Sequence, residues 1–344
     1  MGIVMSDGHD LTVGSEGAIL AQERVWRLVS AARRVADAHD RLGRQARQRW
    51  QEQLGLSSEA IELGIRCGLE TQPTQEDVAT LCANVAPAPR VWVVLSANVF
   101  VAAHRSIALG LAASPHVFVK ASRRDPVLAK LLHEIEPELF TLVDHVAPEP
   151  GDHIYAYGRA PTLATLRASL PTGVSWHAHG PGLGVAVVGG GGNWRVAAEA
   201  IALDAVVFEQ RGCLSPQLVG LTPQVPVEPF CAHLAQALRD LGERVPAPQP
   251  TGDERAQRTW FELVGAYAGA LHPAGPGVVF AYTADLHEAG VRREPFIPLP
   301  PPSRSLTVFS APEPLRAGPG HRDRSVDGGP PIRSRSAHQP AEQH

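Results

Sequence analysis

The residue with the most direct chemical potential is Cys213, set in the string Gly212-Cys213-Leu214-Ser215-Pro216-Gln217. A thiolate is a nucleophile, and a glycine beside it lets the backbone approach a ligand closely. If a helix begins near Ser215, its N-terminal dipole lowers the thiol pKa and activates the sulfur. The same string is compatible with a small buried hydrophobe, the common fate of an unpaired cysteine. The other cysteines, Cys67, Cys82 and Cys231, lie far apart without CxxC spacing. That argues against a zinc knuckle or a disulfide framework, predicts no metal site, and fits a reducing cytoplasm. A second chemical signal is a scarcity. Of 31 basic residues only Lys120 and Lys130 are lysines, and all others are arginines. A lysine that persists in such a chain marks either a position that a planar guanidinium does not serve, or chance.

The elements that must position these groups are bounded by composition. A chain of 344 residues suggests two domains or one large one, and 44% hydrophobic residues exclude a wholly disordered protein. The net charge of −4 leaves no bulk positive field for nucleic acid. No apolar stretch reaches the roughly 18 residues of a membrane span. The first residues include Asp7 and Asp10 and no apolar run, so no signal peptide is expected. The expectation is a cytoplasmic protein without a membrane span or a nucleic-acid partner.

A loose leader is expected over 1–15 and a helix over 16–54, where Ile19, Val25, Leu28, Val29, Ala32 and Val35 recur at helical spacing. Shorter helices follow over 57–83, with Ser57 and Ser58 before Glu59 as a cap signal. The pattern then alternates: strand 90–95, helix 101–113, strand 116–120, turn 121–126, helix 126–140, strands 141–146 and 153–157, helix 161–169. Such alternation is the signature of a doubly wound parallel sheet. Beyond it come strand 184–188, a glycine-rich break at 189–192, helix 194–203 and strand 204–208. Helices over 229–242 and 253–271 are separated by Pro246, Pro248 and Pro250, and strands are expected at 278–282 and 305–309. After 311 the composition turns to Pro, Gly, Arg, Ser and His, too apolar-poor to fold, and the tail reads as disordered.

Two segments together carry a resemblance. Val94-Leu-Ser-Ala-Asn98-Val, an apolar helix, and Val117-Phe-Val-Lys120-Ala-Ser-Arg-Arg-Asp-Pro126 resemble the cofactor-binding segment of the aldehyde dehydrogenase superfamily. The segment from Asp204 through Gly212-Cys213-Leu-Ser-Pro-Gln217 resembles the nucleophile segment of its acyl-CoA reductase branch, which includes the fatty acyl reductase of bacterial luciferase systems. Tyr155-Ala-Tyr-Gly158-Arg fits between them, and the resemblance covers about 85–310. It implies an α/β fold with a nucleotide-binding domain over 16–182, a second α/β domain carrying Cys213 over 183–310, and the tail at 311–344. It also implies roles. Cys213 attacks a thioester carbonyl, and the Asn98 amide with the Cys213 N–H forms the oxyanion hole. Lys120 binds the ribose or a phosphate of NADP or NAD, and Ser122 and Arg123 lie near the ribose 2′ position, which favours NADP. Gly158 admits the pyrophosphate to a helix N-terminus. Read without the resemblance, Asn98 and Gly158 are turn residues, and Lys120, Arg123 and Arg124 are solvated cations.

Two departures sharpen the expectation. Hydrolytic members of the superfamily carry a glutamate base where this chain reads Ser175-Trp-His-Ala-His179-Gly180, without a carboxylate. Reduction of a thioester needs no such base, so the substrate expected is an acyl-CoA or an acyl-carrier thioester, and the product a fatty-type aldehyde. His177 or His179 is a candidate proton carrier, against the reading of a histidine satisfied locally, and Glu209 reads as a solvated or salt-bridged carboxylate. The chain beyond the nucleophile is shorter than the family's, which reads as a truncated or frameshifted C-terminus. The alternatives to a reductase are a nucleotide-binding remnant that does not turn over, and an aldehyde oxidiser. A homo-oligomer is the candidate assembly.

Overall fold

The computed structural model describes residues 10–180, 182–212, 215–282 and 304–310. Cys213, the first nine residues of the expected leader and the expected tail at 311–344 lie outside the described residues. The chain divides into two compact units, Met1–Pro181 and Gly182–His344.

The first unit opens with helices. α1 (Asp10–Ala36) starts inside the expected leader, and the single helix expected over 16–54 is two, α1 and α2 (Arg41–Leu54). Short polar side chains make the break by competing with the helical ladder. Asp37 accepts from His39 N and Asp40 from Leu42 N, each at 2.8 Å. Gly43 permits the tight turn, because a Cβ there would lie 1.8 Å from the Asp37 carbonyl oxygen. Ser57 caps α3 (Ser58–Gly68) by accepting from Ala60 N, and Thr74 and Asp77 form a capping box on α4 (Gln75–Ala83). The buried face of α1, with Val25, Leu28, Val29, Ala32 and Val35, supplies much of the core beneath these helices.

The centre of the first unit is a five-stranded parallel sheet in the order β3-β2-β1-β4-β5. Its strands are β1 (Val91–Val94), β2 (Val117–Lys120), β3 (Thr141–Leu142), β4 (His153–Tyr157) and β5 (Ser175–His179). α5 (Ala102–Ala113), α6 (Val127–Ile135) and α7 (Ala160–Ala168) make the crossovers. Gly110 lets α5 sit close on the sheet, since a Cβ there would meet Val117, Val93 and Val91 at 3.1–3.4 Å. The other face is a cluster of Trp92, Ile154 and Val174 with Phe118, Leu166 and Trp176 against it. The helix expected over 126–140 stops at Ile135, because Glu136 precedes Pro137 and leaves the helical region at φ −130° and ψ 69°. The strand expected over 141–146 is correspondingly reduced to Thr141–Leu142.

The second unit holds a mixed sheet in the order β6-β7-β10-β9-β8, in which only the β8–β9 pair is antiparallel. Its elements are β6 (Gly184–Val188), α8 (Trp194–Val206), β7 (Pro216–Leu221), α9 (Val227–Arg244), α10 (Gly252–Ala268), β8 (Gly269–Ala274), β9 (Gly277–Tyr282) and β10 (Leu306–Ser310). The strand expected at 204–208 is absent. α8 continues to Val206 because Ala198, Ala202 and Ala205 give it a small buried face where it packs beside α9. A tight turn at Val207–Gln210 follows. No helix begins near Ser215; β7 does, with Pro216 at the first strand position, where a missing N–H is tolerated. Among the described residues no helix is long and apolar enough to cross a membrane.

Asp152 ties the first sheet to its flanking loop. Its carboxylate accepts from Trp92 Nε1 and Arg90 Nε at 3.0 Å and from Glu149 N at 2.9 Å, and the residue is buried. Burial alone would raise this carboxyl, but the bonds from Glu149 N, Arg90 and Trp92 outweigh it and hold the pKa below its ordinary value. A folded-state pKa below the unfolded one means that the stabilisation is complete above the ordinary carboxylate range. It is lost as pH falls through the folded value. Asp152→Ala is expected to destabilise the protein by about 2–4 kcal/mol at pH 7 in urea denaturation, with a smaller difference from wild type at pH 3.

Candidate active site

The carboxyl edge of the first sheet gathers five of the candidate residues. Asn98 is exposed in the turn between β1 and α5. Lys120 ends β2, half-buried, and forms no ion pair with the described residues. Ser122 accepts from Arg124 N at 3.3 Å, which shapes the loop and leaves Arg123 and Arg124 exposed. Gly158 follows β4, and its N–H donates to the His179 carbonyl at 3.2 Å. A Cβ on Gly158 would make only ordinary contact with Leu163 and Thr162, at 3.9 Å. β2, β1 and β4 are neighbours in the sheet, and the chain leaves β1 toward β2 on one side while β4 lies on the other. That reversal makes a crevice outside the strand ends, the usual ligand site of an open parallel sheet.

The helices beginning at this edge share one property. Val101, Pro126 and Arg159 precede α5, α6 and α7, and none of them caps its helix with a side-chain bond. α2, α3 and α4, away from the sheet, are all capped by side chains. Ala102 N donates to the Val99 carbonyl and Val127 N to Asp125, and the partial positive charge of the helix starts remains, a setting suited to phosphate. With Lys120, Arg123 and Arg124 beside them, the residues present fit a dinucleotide with its phosphates. Asp125, which the sequence did not single out, accepts from Val127 N at 3.3 Å in this loop. Burial pushes its carboxyl up to about 6, against the lowering bond from Val127 N.

β5 carries the two candidate histidines and no carboxylate. His177 stacks on Tyr155 with ring centroids 4.6 Å apart, and His179 on Tyr157 at the same distance. Each imidazole lies flat against a ring of β4 rather than free in the crevice.

In the second unit, Cys213 and Leu214 lie outside the described residues, and their flanks are held in an unusual way. Phe208, Glu209 and Gln210 have φ of 61°, 54° and 55°. Three successive non-glycine residues in the left-handed region cost about 1–3 kcal/mol each, and persist only where the surroundings over-determine them. The surroundings here are specific. Arg304 donates through Nε at 2.9 Å and a terminal nitrogen at 2.5 Å to the two oxygens of Glu209, and its other terminal nitrogen donates to the Val245 carbonyl at 2.8 Å. The Gln210 amide donates to the Pro216 and Ser305 carbonyls at 2.9 and 2.8 Å and accepts from Ser305 N at 3.0 Å. Glu209 is thus the salt-bridged carboxylate of the two expected readings, and it is buried. Ser215 N donates to the Gly212 carbonyl at 3.0 Å.

This geometry corrects one expectation. The expected helix near Ser215 is instead the strand β7, which starts at Pro216, so the dipole of a helix beginning there is not available. Of the cysteines described, Cys231 is buried, with its thiol pushed up to about 12, and burial also raises Cys82. Neither is poised as a thiolate. Arg304, Ser305 and Gln210 were missed by the sequence reading; the only signal was a polar pair directly before the apolar run of β10.

Comparison with known proteins gives a family and a fold. The sequence profile described as acyl-CoA reductase (LuxC) matches residues 60–260. No curated protein sequence matches the chain. Among solved structures, the chain is similar to an NAD-dependent benzaldehyde dehydrogenase from Corynebacterium glutamicum, with 18% identity, a TM-score of 0.62, and 87% of this chain and 74% of that one covered. It is similar to a lactaldehyde dehydrogenase at 15% identity and TM-score 0.58, covering 87% and 71%. It is also similar to aldehyde dehydrogenase C from Pseudomonas syringae, solved with NAD+ and octanal, at 15% identity and TM-score 0.56, covering 85% and 68%. The fold is therefore aldehyde dehydrogenase-like.

Gly184 tests how tightly the flank of Cys213 is seated. A Cβ there would fall 1.9 Å from the Ser215 carbonyl oxygen. Gly184→Ala is expected to destabilise the protein by about 1–3 kcal/mol in urea denaturation. Gly191→Ala, where a Cβ meets nothing within 4 Å, is expected to leave the midpoint unchanged or raise it.

Proposed function

The chain belongs to the acyl-CoA reductase (LuxC) family, and from that premise we propose that it reduces an acyl-CoA or acyl-carrier thioester to the aldehyde, with a thioacyl-enzyme on Cys213 and NADPH as reductant. The coarser class is an oxidoreductase of the aldehyde and acyl type. The observation that carries the reading is that the matched span, 60–260, contains Asn98, Lys120, Ser122, Arg123, Gly158 and Cys213 together.

In the proposed cycle the Cys213 thiolate attacks the thioester carbonyl carbon. The Asn98 amide and the Cys213 N–H donate to the oxygen that becomes negative, each supplying about 3–4 kcal/mol where it meets the developing charge. The tetrahedral adduct collapses, the bond to the carrier sulfur breaks, and the carrier leaves as its thiolate. A nicotinamide dinucleotide, when bound reduced, supplies the hydride that converts the acyl carbon to the aldehyde level. Cys213 then departs as thiolate, and the balance is thioester plus NADPH plus a proton to aldehyde, NADP+ and free thiol. Lys120 and the positive ends of α5 and α7 would hold the phosphates, Gly158 would admit them without a side chain in the way, and Ser122 shapes the loop that presents Arg123. Arg123 and Arg124 form no ion pair with the described residues, which supports pairing with a ribose 2′-phosphate. The absence of a carboxylate from Ser175–His179 favours reduction over aldehyde oxidation, since no glutamate base stands there to activate water.

Incubation with a long-chain acyl-CoA is expected to add one acyl mass to the wild type, mapped to Cys213, and none to Cys213→Ala. An equal adduct on the variant overturns the assignment. NADPH is expected to be oxidised in step with aldehyde formation. Acylation without NADPH oxidation would instead identify a nucleotide-binding acyl acceptor that does not turn over. Lys120→Ala is expected to raise the KM for NADPH by about tenfold to a hundredfold, the loss of one charge-assisted bond, with acylation of Cys213 unaffected.

A further inference from the structure

We propose that Glu209, Gln210 and Arg304 are positioning residues that set the conformation of the segment carrying Cys213. The inference rests on the reading of Cys213 as the nucleophile. A left-handed run at Phe208, Glu209 and Gln210 is intrinsically disfavoured, so something must hold it. Glu209 is 5% exposed, Gln210 2% and Arg304 1%, which removes water as the partner of their polar groups. What holds the run is the two-pronged Arg304–Glu209 pair and the three bonds of the Gln210 amide.

The placement of those bonds gives the segment its function. Gln210 lies three residues before Cys213, and its amide reaches over to the Pro216 carbonyl three residues after it. One side chain therefore ties both ends of the nucleophile segment together, and its other bonds fasten that knot to Ser305 at the start of β10. Arg304 adjoins Ser305 and is itself left-handed at φ 59°, so both sides of the clamp are shaped to meet. Arg304 further anchors on the Val245 carbonyl after α9. Releasing the pair would let the run relax to right-handed geometry and redirect the chain at Arg211. Nucleophilic attack depends steeply on such placement. None of the three side chains need touch the substrate for this role.

The test uses Glu209→Gln, which keeps the shape and removes the charge, with Gln210→Ala and Arg304→Lys as milder or complementary variants of the full chain. Single-turnover acylation of Cys213 by acyl-CoA is expected to slow by tenfold or more in Glu209→Gln and Gln210→Ala. The affinity for NADPH, a property of the other unit, is expected to stay within twofold of wild type. Arg304→Lys keeps the charge but not the fork, and is expected to fall between. Iodoacetamide alkylation reads the same segment without any substrate. The Cys213 alkylation rate is expected to change severalfold in the variants, while buried Cys231 stays unlabelled as the internal sign of an intact fold. If Cys231 becomes labelled in Glu209→Gln, the comparison rests on Gln210→Ala and Arg304→Lys. Variants that keep Cys231 protected and acylate and alkylate Cys213 at wild-type rates overturn the positioning role. Failure of the wild type to acylate overturns the functional reading alone, since alkylation still reports on the clamp.

Discussion

The second unit depends on an ion pair between residues 95 positions apart, Arg304 and Glu209. Taking a guanidinium and a carboxylate out of water is costly by several kcal/mol for each ion, and is offset only where geometry is two-pronged and the remaining donors are satisfied. The first condition holds, and Arg304 engages its other terminal nitrogen with the Val245 carbonyl. Such a pair adds less net stability than an apolar contact of the same size. What it adds is choice: it selects one hand for the turn at Phe208, Glu209 and Gln210, the hand that an unassisted chain avoids. The sheet order follows the same logic. β10 lies between β7 and β9, so the strand introduced by Arg304 and Ser305 runs beside the strand that leaves the Cys213 segment.

The first unit works by the opposite means. It stores no comparable strain; its non-glycine residues keep ordinary backbone geometry among the described residues. Its function comes from repetition. Each right-handed crossover returns the chain to the same edge, so every strand end and every following helix start accumulates there. Helices that do not meet that edge are capped by the side chains of Asp40, Ser57 or Thr74, and those that do meet it have no such bond from the N-cap residue. The proposed site for an anionic ligand rests on that topology and on the cations Lys120, Arg123 and Arg124 at the edge.

This contrast explains what was legible in the sequence. β1, β2, β4, β6, β9 and β10 were readable because short β-branched runs bounded by breakers leave little else to form. Their order of alternation with α5, α6 and α7 announced a parallel sheet. The unread parts were those fixed at a distance. The run at 204–208 has the local composition of a strand, yet α8 runs on because its alanine face is buried beside α9. β7 begins at a proline, which local rules take as a breaker, and β8 exists only as the hairpin partner of β9. The break between α1 and α2 was marked by Asp37, Asp40 and Gly43, but the apolar periodicity of the flanking helices masked it. Of the candidate site, the edge formed by Asn98, Lys120, Ser122, Arg123 and Gly158 was visible because it is local to strand ends. The clamp on the Cys213 segment was not, because every bond in it except that from Gln210 to Pro216 spans a long stretch of chain.

The basic residues show the same limit in a single comparison. In a chain where arginine is the default cation, an arginine carries almost no information and a lysine carries some. Lys120, at the end of β2 on the crevice edge, stands out for that reason, while Lys130 is an exposed residue of α6. Arg304 is hidden by its own commonness. Yet it is a position where the difference between the two side chains matters. Its guanidinium engages two carboxylate oxygens and a carbonyl at once, through three nitrogens in a fixed plane. A lysine ammonium is a compact point charge and cannot span that arrangement. The chemistry that distinguishes arginine from lysine is therefore used where composition is silent, and only the long-range geometry reveals it.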